Sequence, residues 1–316
     1  MILFILLVLI AAVLLGGWLG FRYGFARNAE PDWEDQESLN RSPMWKHHPV
    51  SIPAAAQWLR DHNAVDIETT SFDGLTLRGK WVPAEHPRAT ILLVHGYRSH
   101  YLTDFGGIFQ RYHDLGLNLL MFRQRAHGES EGSYITFGVH ERKDLLRWIE
   151  YHNGQFGTGD VFLGGMSMGA ATVLYAAGED LLGNVRGITA DCGFTSPADI
   201  IGRVIRRDFH LPPKLVLPLL NLYTRLFAGF SLWECDSRKT GKAAKTPILM
   251  LHGKADDFVP CHMTEESYAA YAGPKELITV ENAGHGMSYM VDPVRVRAAL
   301  TAFFDRYITT KSEVTP

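Results

Sequence analysis

A chain of 316 residues, 46% apolar and 21% charged, can bury a full core and is long enough for one large α/β domain, with or without an insertion. Its 31 basic and 34 acidic side chains leave a formal charge of −3, so no basic field exists to draw nucleic acid, and no nucleic-acid motif is present. The cysteines Cys192, Cys235 and Cys261 make neither a CxxC pair nor a zinc pattern and read as free thiols, buried or half-buried; their odd number argues against a disulfide-built exterior protein.

Met1 to Phe21 carries no charged side chain and is mostly Leu, Ile, Val and Ala. A helix of about 20 such residues spans a hydrocarbon core. A cleaved signal peptide is the alternative, but no Lys or Arg precedes the run, and the run is long for a signal. Residues 1–21 are therefore expected to be a retained, single-pass transmembrane anchor. Arg22 and Arg27 follow it, and the positive-inside rule then puts the C-terminal domain in the cytoplasm. Residues 22–50 are expected to be a juxtamembrane linker. Glu30, Asp32, Glu34, Asp35 and Glu37 crowd among prolines and small polar residues there, the composition of a solvated tether. On that reading a chain starting near Asp32 stays soluble and active.

Residues 51–316 read as one domain. A short helix is expected over Pro53–His62. Val65–Ser71 and Leu75–Val82 read as strands joined by an Asp73-Gly74 hairpin turn. Repeated strand–helix units follow. Strands are expected at Thr90–Val94, Asn118–Phe122, Val161–Gly165, Val185–Ala190, Thr246–Leu251 and Glu276–Val280. Helices are expected at Phe105–Leu115, His140–Phe156 and Pro293–Tyr307. Uniformly apolar strands alternating with helices argue for a mostly parallel sheet covered on both faces. Functional groups then belong at the carboxyl ends of the strands.

The pattern breaks between Ser196 and Lys245, where no strand is evident. Leu215, Val216, Leu217, Leu219, Leu220 and Leu222 lie there among Pro212, Pro213 and Pro218. Those prolines are expected to divide the segment into short helical pieces. An insertion this long is a functional lid or a packing cap; a helical lid insertion at about 196–245 is the reading taken here.

The organising motif is Gly165-Met166-Ser167-Met168-Gly169, which follows an apolar strand and runs into Ala170–Ala177, a helix-forming stretch. Strand–turn–helix is the context in which Gly-x-Ser-x-Gly places a serine hydroxyl at the end of a sheet. A helix N-terminus behind it offers free N–H groups to a developing oxyanion. The hydroxyl needs a base, and the base a group to hold its tautomer. His285 sits in a glycine-flanked loop after the last strand, and Asp256 and Asp257 follow the strand before it, giving the order Ser, Asp, His.

These residues resemble the α/β-hydrolase superfamily from about Val65 to the C-terminus. The resemblance rests on His95-Gly96 after an early strand, Gly-x-Ser-x-Gly, the run His252 to Pro260, and Gly284-His285-Gly286. Gln124–Ser130 and Asp191–Pro197 are similar to bacterial, often membrane-anchored members of serine aminopeptidase-like and prolyl-oligopeptidase-like type. The resemblance implies an α/β-hydrolase fold with a mostly parallel central sheet, helices on both faces and the lid, preceded by the transmembrane helix. It implies Ser167 as nucleophile, His285 as general base and Asp256 as orienting acid, with Asp257 and Asp191 as the alternatives to Asp256. The oxyanion hole would be the backbone N–H groups of Tyr97 and Met168. His95 and His127 belong to motifs that brace loops. Relatives often carry Asp two residues before the arginine of Arg-x-His-Gly, where this chain has Arg123.

The expected activity is hydrolysis of a small-molecule carboxylic ester through an acyl-enzyme. The apolar lid and the anchor favour a lipid-like acyl ester. No metal or organic cofactor is implied. A peptidase or amidase with the same triad, and a non-catalytic hydrolase-fold binding protein, are the competing readings.

Overall fold

A computed structural model describes residues 1–41 and 51–309. Positions 42–50 of the expected linker and 310–316 at the end of the expected catalytic domain lie outside the described residues. Eight strands form one sheet: β1 (Val65–Thr70), β2 (Thr76–Val82), β3 (Ala89–Val94), β4 (Leu117–Phe122), β5 (Val161–Met166), β6 (Val185–Asp191), β7 (Ile248–Gly253) and β8 (Lys275–Val280). Their spatial order is β1-β2-β4-β3-β5-β6-β7-β8. β2 pairs antiparallel with β1 and β4, and every later pairing is parallel. The helices of nine residues or more are α1 (Ile2–Phe25), α2 (Ile52–Asp61), α3 (Glu141–Phe156), α4 (Met168–Ala176), α5 (Pro197–Phe209), α6 (Pro213–Tyr223), α7 (Cys261–Ala270) and α8 (Pro293–Tyr307).

The apolar strands are apolar because both faces are covered. Ile91 and Leu93 point into one core with Phe162, Phe303 and Phe304. Leu92 and Val94 point into the other with Leu145, Trp148 and Val173. A third core lies outside this sandwich and joins α1 to the helical insertion: Phe21 and Phe25 meet Ile201, Leu220 and Phe230.

The helix expected at Phe105–Leu115 is instead two short ones, Tyr101–Asp104 and Phe109–Asp114, and two further findings depart from the sequence expectation. Pro218 does not break its helix. α6 begins with Pro213 in its first turn and runs through Pro218 to Tyr223. The missing N–H removes a bond to a first-turn carbonyl, and packing on α1 and α5 holds the helix instead. The break falls earlier, at His210, whose left-handed backbone ends α5.

The second departure is the N-terminal segment. α1 continues past residue 21 to Phe25, and the stretch after it docks on the domain through Glu30, Trp33 and Leu39, while Asp32, Glu34, Asp35 and Glu37 are exposed as expected. Ile135 N–H donates to the Phe25 carbonyl at 2.8 Å and Arg27 N–H to the Ser133 carbonyl at 2.9 Å. Glu30 accepts from Gly128 N–H at 2.7 Å and from the Trp33 indole at 2.7 Å, and it pairs with the buried guanidinium of Arg123. The physical reason is charge. Arg123 is a buried cation, and a buried cation without a partner is costly. Glu30 supplies the carboxylate across the chain.

Candidate active site

The Ser167 turn is fixed by backbone crowding. A Cβ on Gly169 would fall inside the Val94 carbonyl, and one on Gly165 would collide with the Gly169 carbonyl. Glycine at both positions lets β5 and α4 pass this close to each other and to β3. Ser167 itself has φ +55° and ψ −113°, a conformation that costs a non-glycine residue about 1–3 kcal/mol and must be held by its surroundings. Its N–H donates to the Asp191 carbonyl at 2.9 Å, which is part of that hold.

Three expected residues meet in one hydrogen-bonded chain. Ser167 Oγ lies 2.9 Å from His285 Nε2, and His285 Nδ1 lies 2.7 Å from Asp256 Oδ2. Asp256 Oδ1 accepts from the N–H groups of Phe258 and Val259, each at 2.9 Å. Burial alone would raise the Asp256 carboxyl, but hydrogen bonds to His252 and His285 and the Val259 N–H outweigh it and hold it well below the usual carboxylate range. An ionised Asp256 requires His285 to carry its neutral proton on Nδ1. Nε2 then faces Ser167 as an acceptor, the orientation a general base needs.

The acid bonded to His285 Nδ1 is Asp256 and neither of the alternatives. Asp257 is exposed, and its carbonyl accepts from Arg203 and Arg207. Asp191 is buried, accepts from Ser288 Oγ at 3.1 Å, and is raised by that burial. Tyr97 follows β3 in a loop so close to Ser167 that a Cβ on Gly96 would stand 3.3 Å from the Ser167 Cβ. Met168 opens α4, so its N–H has no intrahelical acceptor.

Buried histidines brace this loop. His95 Nε2 accepts from Gln124 N–H at 3.0 Å. His127 Nε2 accepts from Arg98 N–H at 3.0 Å while its Nδ1 donates to the Arg125 carbonyl at 2.9 Å. Burial holds His95 and His127 neutral, His127 down to about 3. Cys192 Sγ is 4.0 Å from His285 Nε2, and with Asp256 these three groups bring ligand-type atoms within 4.8 Å. A metal bound there would have to displace the contact between His285 and Ser167, and burial pushes the Cys192 thiol well up, away from the thiolate a metal prefers.

Ser167 and His285 open onto an apolar cavity of about 1190 Å³. Met287 and Phe258 lie near its floor, and Ile201, Ile205 and Leu220 come from the helical insertion. Tyr97, Arg98, Phe105 and Ile108 line it from the segment after β3, and a further wall is α1, which sequence reading did not connect with the site. The Tyr97 hydroxyl donates to the Gly24 carbonyl at 2.8 Å, and the Arg98 guanidinium donates to the Tyr23 carbonyl. Both bonds satisfy carbonyls at the C-terminal end of α1. The available signal was Gly17, a small residue in the apolar run of the kind that lets a membrane helix approach a neighbour, here Leu219 and Tyr223. A second missed residue is His252, whose Nε2 lies 3.3 Å from Asp256 Oδ2 and 2.8 Å from the Val259 carbonyl.

A profile of the alpha/beta hydrolase family matches residues 91–299. The chain is 29% identical over 238 residues to the uncharacterized protein YqkD of Bacillus subtilis (strain 168), covering 73% of this chain and 76% of that one. It is 25% identical over 230 residues to the uncharacterized protein YfhR of Escherichia coli (strain K12), covering 71% and 74%. Among solved structures it is similar to the esterase Pf2001 of Pyrococcus furiosus, with a TM-score of 0.65 at 22% identity over 79% of this chain and 94% of that one. At that identity the likeness carries the fold.

Proposed function

The chain belongs to the α/β-hydrolase family, and from that premise we propose that it is a serine hydrolase that cleaves carboxylic esters, lipophilic acyl esters among them. The observation that carries this reading is the chain Ser167–His285–Asp256, 2.9 and 2.7 Å between its links, at the floor of an apolar cavity. Ser167 Oγ attacks the ester carbonyl while His285 Nε2 takes its proton. Asp256 steadies the imidazolium, and the N–H groups of Tyr97 and Met168 receive the oxyanion. The C–O bond breaks, and the alcohol leaves with the proton from His285. Water then attacks the acyl-enzyme, gives a proton to His285 and adds its hydroxyl to the acyl carbon; Ser167 recovers its proton as the acid leaves.

The same groups would serve a peptidase or amidase, which needs a carboxylate free to bind a substrate amine. Asp104, Asp191 and Asp208 line the cavity, but the first accepts from Gly96 N–H at 2.6 Å, the second from Ser288, and the third is paired with Arg207. That favours the ester. Residues 1–21 serve as a retained anchor, 22–50 as the juxtamembrane segment and 51–316 as the catalytic domain with its lid at about 196–245. The burial of Phe21 and Phe25 supports retention over cleavage. Arg22 and Arg27 on the domain side put that domain in the cytoplasm.

The test is kcat/KM over p-nitrophenyl esters of increasing chain length, below their micelle concentrations, beside aminoacyl-nitroanilides. Ester turnover rising at least tenfold from acetyl to medium chains is expected, since each methylene buried is worth about 0.8 kcal/mol. Preference for nitroanilides would transfer the protein to the amidase class; a flat ester series would leave a small-ester hydrolase.

A further inference from the structure

The cavity above Ser167 is larger than the roughly 300–1,000 Å³ of ordinary small-molecule sites, and α1 shares its lining with residues such as Ile108, Tyr112 and Met290. α1 reaches far beyond the domain: Ile2 to Leu15 are exposed, and 24 residues make a helix about 36 Å long, more than a hydrocarbon core needs. Its far end is free, but its near half has two distinct faces. One face packs. Gly17 lies against Leu219 and Tyr223, Trp18 stands 4.9 Å from the Phe227 ring, and the Tyr223 hydroxyl donates to the Leu14 carbonyl at 2.8 Å. The other face, Val13, Gly16, Gly20 and Gly24, lines the cavity together with Leu19 and Tyr23, and Gly16 and Gly20 are exposed there. A Cβ built on Gly16 or Gly24 meets nothing within 4 Å. These two glycines are therefore not needed for helix packing, and glycine inside a helix costs about 0.5–1 kcal/mol relative to alanine. What their missing side chains leave is room, and the room belongs to the cavity that ends at the nucleophile.

The helical insertion continues the same surface. Leu215, Leu226 and Phe227 are exposed beside α1. An apolar flank next to a membrane-length helix lies in the bilayer. An ester dissolved in that leaflet meets the cavity without crossing water.

We propose that α1 is a wall of the acyl-binding site: Gly16, Gly20 and Gly24 set how long a chain the site accepts, and the ester reaches Ser167 along α1 from the bilayer. The inference rests on the ester reading above. Gly24 is tied to Tyr97 and lies at the catalytic end; Gly16 lies two turns up the helix, about 12 Å away at 1.5 Å per residue. Filling the two positions must therefore shorten the accepted chain to different extents.

The experiment uses the full chain in phosphatidylcholine vesicles with p-nitrophenyl acetate, hexanoate and dodecanoate. In Gly24→Leu the kcat/KM ratios of hexanoate and dodecanoate to acetate both fall at least tenfold. In Gly16→Leu only the dodecanoate ratio falls. Each buried methylene contributes about fourfold to kcat/KM, so the loss of two methylenes suffices for the effect. Leu15→Phe, on the same helix but off the cavity wall, leaves both ratios unchanged and guards against a general disturbance of α1. Should Gly24→Leu fail to fold, Gly16→Leu alone decides. Unchanged ratios in the glycine variants, or equal losses at every chain length, overturn the inference and leave the ester hydrolase standing. No ester turnover in the unsubstituted chain overturns the ester reading and the inference together.

Discussion

The strand ends and the N-terminal helix meet at one cavity and are held there by opposite means. Ser167, Asp256 and His285 follow β5, β7 and β8, and each is fixed by backbone geometry and by hydrogen bonds of 2.7–2.9 Å. Among the described residues, backbone bonds tie α1 to the domain only at its end, where Ile135 N–H donates to the Phe25 carbonyl and Arg27 N–H to the Ser133 carbonyl. It is held by two phenylalanines, by Tyr97 and Arg98 on its last carbonyls, and by the Glu30–Arg123 pair beyond its end. The first arrangement suits bond chemistry, where a small misplacement is costly. The second suits a wall whose order depends on side-chain packing. The difference separates turnover from selectivity, and substitutions can pull the two apart.

The largest effect is expected at the strand ends. Asp256→Asn leaves the geometry but favours the wrong His285 tautomer, and kcat should fall about 10⁴-fold. Asp257→Asn, whose carboxylate is exposed, should cost far less. The reverse ranking in steady-state kinetics would reassign the acid. Next comes the N-terminal region. A chain beginning at Asp32 keeps all three residues but loses α1 and Glu30, so the expectation of a soluble, fully active product is reversed here. Its kcat/KM for acetate should drop at least tenfold, and size-exclusion chromatography should find it self-associating through the uncovered insertion. A monodisperse product of undiminished activity would return the segment to the role of tether.

Smaller effects concern stability. Glu30→Gln strands the buried Arg123 charge and should cost about 3 kcal/mol in denaturant unfolding. Adding Arg123→Met should recover much of that loss, since a paired charge and its apolar replacement are often close in energy. The smallest effect is the share of a pH slope that one buried histidine carries. His95, His100 and His127 are held neutral by burial, so their folded pKa values lie below the unfolded value of 6.5. Below pH 6.5 the unfolded chain binds protons that the folded chain refuses, and stability falls as pH falls. Each histidine contributes about 1.4 kcal/mol per pH unit; for His127 the loss ends near pH 3, where the folded ring also protonates. Urea midpoints between pH 7 and 5 should show the slope, and His127→Gln should flatten it.

These two regions were also unequally legible from sequence. The strands were readable because burial on both faces makes them uniformly apolar, and the nucleophile because crowding around Ser167 admits only glycine on either side. The choice of Asp256 over Asp257 came from the resemblance, and its geometry agrees. The N-terminal segment was misjudged for a physical reason. Acidic residues near prolines look solvated when read locally, and the cation that draws Glu30 inward is Arg123, nearly a hundred residues away. Arg123 was visible as a departure from the family pattern, but only the fold brings its partner to it. Pro218 was misjudged in a similar way, because local rules do not include the packing from α1 that holds α6 together.

The central claim is that Ser167 alone is activated, by His285 under the control of Asp256. A fluorophosphonate probe on the full chain, with the adduct located by mass spectrometry, tests it most directly. The account predicts one adduct, on Ser167, absent in Ser167→Ala and strongly slowed in Asp256→Asn. Labelling of folded Ser167→Ala at another serine would contradict it.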